Sequence, residues 1–234
     1  MSITDNLIIP LIAYTPGIEE LSLIGKSLDA LNKEAVRYSL WRDVAEPPLV
    51  RFAIGHSRDR IFLKYYVREK HIAALYSQIN EPVYKDSCVE FFIGFGDVPD
   101  YYNLEFNCTG TVLGQYGASK IGRHFLDPQL LALISTRTEV KFNHNDQLFE
   151  WELTIAIPAT VFEFHVIEDF EGMDCYLNFF KCGDDLPEPH YLAWSEIHNA
   201  DPNFHLPQYF KKSRFEDVEV LNPIGKSAHL SEIV

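Results

Sequence analysis

The residues best suited to chemistry lie between Val83 and Thr111, in VYKDSCVEFFIGFGDVPDYYNLEFNCTGT. Two acids, Glu90 and Glu105, and two amides, Asn103 and Asn107, alternate there with apolar and aromatic side chains. Carboxylates and amides pair with hydroxyl groups, and aromatic faces cover patches of C–H, so this mixture suits a polyhydroxylated ligand. The same two carboxyls on neighbouring strands also permit an acid and base pair for glycoside cleavage. No further catalytic group accompanies them, and binding is the stronger reading of the pattern.

Other chemistries lack residue support. The nine histidines form no HExxH, and His198 and His205 stand seven apart in a loop with no ligand spacing. There is no glycine-rich phosphate loop and no nucleophile elbow. The four cysteines, Cys88, Cys108, Cys175 and Cys182, make no CxxC pair. Cys88 and Cys108 fall on opposite faces of their strands by the period-2 count, so free buried thiols are expected.

The elements that must position these groups are strands. Val89, Phe91, Ile93 and Phe95 share one face, with Cys88, Glu90 and Phe92 opposite. Tyr102, Leu104, Phe106 and Cys108 share a face opposite Tyr101, Asn103, Glu105 and Asn107. Alternation of this kind marks strands with one face in the core, which gathers the acids and amides on the other face. A hairpin precedes them, with strands near 50–54 and 61–67 joined at HSRD. The connection 68–86 has at most one helical turn, near 72–76, and brings Tyr84 to the strand of Glu90.

Further strands are expected near 7–14, 35–40, 136–142, 149–157, 175–181, 190–194 and 214–221. Ser27 is expected to cap a short helix over 28–33, and Asp127 with Pro128 to start another at 129–134. Trp151 shares a face with Phe149, Leu153, Ile155 and Ile157 and is expected in the core. About ten short strands with brief helical turns predict an all-β, antiparallel β-sandwich of jelly-roll type, one domain over 1–234 with its core at about 35–221.

With 47% hydrophobic residues the chain can fill such a core. Its 17 Phe, 12 Tyr and 3 Trp exceed what an interior needs and leave some rings for a surface. A net charge of -14 disfavours nucleic acid and anionic membranes as partners. No basic leader with a cleavage site opens the sequence and no stretch is long enough to span a bilayer, so a cytoplasmic location is expected.

Three stretches, VYKDSCVEFFI, YYNLEFNCTGT and LAWSEIHNADPNFHLPQYFKKSRFE, resemble the family 9 carbohydrate-binding modules and their DOMON-like relatives, from roughly Trp41 to Glu216. The resemblance implies a β-sandwich holding a small saccharide, or a sugar end, between two aromatic rings, here Tyr84 and Trp194. It implies hydrogen bonds to the sugar from Glu90, Asn107 and Asn178. Glu105 stands where the family carries a basic residue. The implied role is non-catalytic and tied to carbohydrate catabolism, with no cofactor required. Structural calcium in relatives directs attention to the acidic Asp184, Asp185 and Glu188, and haem-binding relatives to Met1 and Met173.

Overall fold

The computed structural model describes residues 6–12, 21–42, 44–96 and 99–217. Two sheets pack face to face, as the alternating patterns require. In chain order the elements are β1 (Leu7–Ile9), α1 (Leu21–Asp29), β2 (Glu34–Ala35), β3 (Tyr38–Ser39), β4 (Leu49–His56), β5 (Arg60–Glu69), β6 (Cys88–Phe95) and β7 (Tyr101–Asn107). There follow β8 (Val112–Gly117), β9 (His124–Phe125), α2 (Pro128–Leu131), β10 (Ser135–Asn143), β11 (Leu148–Pro158), β12 (Asp174–Cys182), β13 (Tyr191–Ala193) and β14 (Lys211–Phe215).

The larger sheet runs β1-β14-β12-β6-β7-β8-β9, with β13 joining β12 to β3; the smaller runs β10-β11-β5-β4-β2. Pairing is antiparallel except for β1, which lies parallel to β14. Between the sheets, Phe52 of β4 stacks on Phe179 of β12 at 3.6 Å between ring centroids. Val89, Phe91, Tyr102, Leu104 and Phe106 fill the same core with Trp151, as the alternation predicts. At one end the two sheets are also joined by polar groups. Lys181 on β12 pairs with Glu69 on β5 at 2.9 Å, and Glu69 accepts from the Trp151 indole at 2.7 Å. These charges are buried together, as buried charges must be.

Several local expectations change. The first helix runs Leu21–Asp29, so Ser27 lies inside it and caps nothing. Its buried stripe of Ile24 and Leu28 begins earlier than the Ser27 signal suggested. The strand expected at 35–40 divides into β2 and β3, which join different sheets. The connection after β5 carries no helical turn at 72–76; its helical segment is a 3-10 turn at Val83–Lys85. Asp127 and Pro128 do start α2, with the Asp127 carboxylate accepting from the Gln129 amide at 2.8 Å. The closing strand is Lys211–Phe215, and the expected extension through 218–221 lies outside the described residues.

The outer face of the larger sheet departs most from the simple pattern. Every residue of β6 and β7 is buried, on both faces. A second apolar cluster covers the outer face, built from Cys88, Phe92, Tyr101 and Phe180 on the strands with Phe204 and Phe210 from the late loops. The acids and amides thus lie beneath a layer of loops, and a cavity in that layer reaches Glu90 and Glu105.

Candidate functional site

Glu90 and Glu105 are direct cross-strand partners on β6 and β7. With Leu113 and Gln115 of β8 and Cys182 of β12 they line a cavity of about 540 Å³, within the range of roughly 300–1,000 Å³ typical of small-molecule sites. Tyr84 and Pro82 line it from the connection after β5; Trp41, Tyr191 and Phe204 supply further rings. Asp184, Lys120 and His205 add charged and polar groups to the lining, with Asn80 and Asn203.

Trp41 is held with care. Its backbone adopts φ 60°, a left-handed conformation that costs a bulky residue roughly 1–2 kcal/mol. The indole N–H donates to the Asn199 carbonyl at 2.7 Å. Its ring lies 6.0 Å from Tyr191 and 5.6 Å from Phe204. Strain of this kind persists only where neighbours hold it, and here they hold it at the cavity.

The carboxyls are tuned by burial. Glu105 is 5% exposed. Its Oε1 accepts from Asn103 at 2.8 Å, and Asn103 Oδ1 accepts in turn from Arg123 Nε at 2.8 Å. Its Oε2 has no hydrogen-bond partner among the described residues. Burial pushes the Glu105 carboxyl up to about 7, against the opposing effects of the Asn103 bond and the Arg123 charge. Glu90 lies well above the usual carboxylate range, through burial first and then through Cys182 and Glu105 beside it. Burial also raises Asp184. It lowers His205 to about 3, with Arg123 and Lys120 adding to the effect, so this imidazole is neutral.

Of the six positions singled out in the sequence, three meet at the cavity: Tyr84, Glu90 and Glu105. The other three lie elsewhere. Trp194 is 5% exposed in the main core, edge-on to Phe52 and Phe179, with its indole N–H donating to Glu34 at 3.0 Å. Alternation along β13 explains this: Leu192 and Trp194 turn inward, Tyr191 and Ala193 outward, so Tyr191 is the ring that lines the cavity.

Asn107 spends its polar groups on structure. It donates to the Tyr76 carbonyl and to Asp86, and accepts from Thr109 and Thr111. Asn178 accepts from the amides of Phe179 and Ser195, fixing the chain beyond β13. Trp41, Tyr191 and Phe204 are the contributors that sequence reading missed. Trp41 followed a short strand with no pattern of its own, and Phe204 sits in an irregular loop.

The acids considered for calcium diverge. Asp185 pairs with Lys85 and Glu188 with Lys70, while Asp184 lines the cavity. Met173 packs against the main core, and Met1 lies outside the described residues. Among the described residues no helix is long and apolar enough to cross a membrane.

Residues 24–215 match carbohydrate-binding family 9. No curated protein matches the chain. A candidate carbohydrate-binding protein from Bacteroides uniformis ATCC 8492 has a similar structure, with TM-score 0.80 and 30% identity over 90% of this chain and 98% of that one. A family 9 module from Caldicellulosiruptor kristjanssonii in complex with cellotriose shares the fold at TM-score 0.57 and 11% identity, covering 98% of this chain and 99% of that one. The structure with glucose of a family 9 module from the same organism gives TM-score 0.56 and 10% identity, covering 93% and 98%. With a match spanning most of its length and a 30% identical structural relative, the chain belongs to carbohydrate-binding family 9.

Proposed function

We propose that the cavity beside Glu90 and Glu105 binds a small saccharide, or the end of a longer one, without cleaving it. Tyr84 and Trp41 are the rings assigned to its C–H faces, with Tyr191 and Phe204 beside Trp41 in the lining. The observation that carries the reading is the unpartnered Glu105 Oε2, a buried acceptor on a cavity lined with aromatic rings. Such an oxygen costs roughly 1–3 kcal/mol when left unpaired, and a sugar hydroxyl would satisfy it. The match to carbohydrate-binding family 9 supports binding without turnover. The role in carbohydrate catabolism is that of a recognition module.

Calorimetric titration with a panel of neutral mono- and disaccharides tests this. The wild-type protein is expected to bind at least one at micromolar to millimolar Kd. Trp41→Ala and Tyr84→Ala should each weaken that sugar at least tenfold. No binding across the panel, or equal binding by both variants, would remove the site.

A further inference from the structure

The cavity lining includes one thiol, Cys182, that sugar recognition does not require. Cys88 and Cys182 are direct partners across β6 and β12, and Glu90 stands two residues from Cys88 on the same face. The two sulfurs and a Glu90 oxygen all lie within 4.8 Å of one another. The Cys182 thiol donates to Glu90 Oε1 at 3.0 Å. All three side chains are buried, at 0%, 3% and 2% exposure for Cys88, Glu90 and Cys182. Two of them, Glu90 and Cys182, also line the cavity, which gives an entry path from solvent.

We propose that Cys88, Cys182 and Glu90 form a three-ligand site for a thiophilic divalent cation of the zinc class, open toward the cavity. Thiolate ligands exclude calcium and magnesium, which take oxygen, and select zinc and its soft neighbours. Zinc bonds of roughly 2.3 Å to sulfur and 2.0–2.2 Å to oxygen place tetrahedral ligands about 3–4 Å apart, and the three ligand atoms here lie within 4.8 Å of one another. Three protein ligands leave a fourth position for water or a ligand oxygen, the arrangement of open zinc sites. Glu105 Oε2, unpartnered on the same cavity, is available to accept from a water bound there. Binding releases the protons of the ionising ligands to the buffer, so no redox partner is needed. The site does not depend on the sugar reading.

The test uses the full chain, reduced and stripped with chelator, titrated with Zn²⁺ by calorimetry and with Co²⁺ in the spectrophotometer. One equivalent should bind, and Co²⁺ should produce a thiolate-to-metal charge-transfer band in the near ultraviolet. Cys182→Ser should abolish the band. Glu90→Gln, which keeps shape and hydrogen bonding, should weaken Zn²⁺ at least tenfold. Cys175→Ser, at a buried thiol on the opposite face of β12, should leave both signals unchanged. Absence of stoichiometric uptake would overturn the proposal. So would uptake unaffected by either Glu90→Gln or Cys182→Ser, or a band that follows Cys175.

Discussion

At the scale of single residues, Glu105 shows how one position can oppose folding and favour binding. Its carboxyl is raised from an ordinary value of 4.5 to about 7 in the folded chain. The folded state therefore holds this proton more tightly than the unfolded state does. Stability from this source is complete below about pH 4.5 and is lost as pH rises through about 7. Glu105→Gln keeps the acceptor for Asn103 and removes the titration. Between pH 5 and pH 8 the wild type should lose more stability than the variant, by about 2–3 kcal/mol at most. Denaturant unfolding at the two pH values checks this, and parallel curves would contradict it. Sugar binding should change in the opposite sense, strengthening from pH 6 to pH 8 as the carboxylate becomes a better acceptor.

At the scale of elements, the connection 70–87 decides whether Tyr84 reaches the cavity, and Asp86 anchors it. This buried carboxylate accepts from the amides of Leu75 and Tyr76 and from Asn107. Asp86→Ala leaves those donors unpaired and should cost about 2–4 kcal/mol. It should also weaken sugar binding, because Tyr84 loses its support. Thermal unfolding and titration measure the two effects, and a variant as stable as wild type would refute the anchoring role. The strands here were legible from alternation alone. The inward row Val89, Phe91, Ile93 and the outward row Cys88, Glu90, Phe92 separate as their spacing predicts. The anchors were not legible, because Asp86, Asn107 and Asn178 bond to backbone groups remote in sequence. A buried amide that braces a loop has the same local pattern as one that meets a ligand.

At the scale of the whole molecule, the question is which side of the larger sheet meets the sugar. The sandwich and its family were readable from three stretches of sequence, but the second ring was misplaced by strand parity. Trp194 follows β13 on its inward phase and completes the core against Phe52 and Phe179. Trp41, more than 150 positions earlier, reaches the outer cavity through a loop and the left-handed turn of its own backbone. No spacing rule connects such distant positions; the antiparallel pairing of β3 with β13 brings them into the same region. The chain has three tryptophans, Trp41, Trp151 and Trp194, and the last two are buried in the core. Indole N–H resonances, assigned by single Trp→Phe variants and followed through titration with the tightest-binding sugar of the panel, separate the two sides. The cavity account predicts a saturable shift of the Trp41 resonance while Trp151 and Trp194 stay in place. A shift at Trp194 with Trp41 unmoved, or no shift at any of the three, would contradict it.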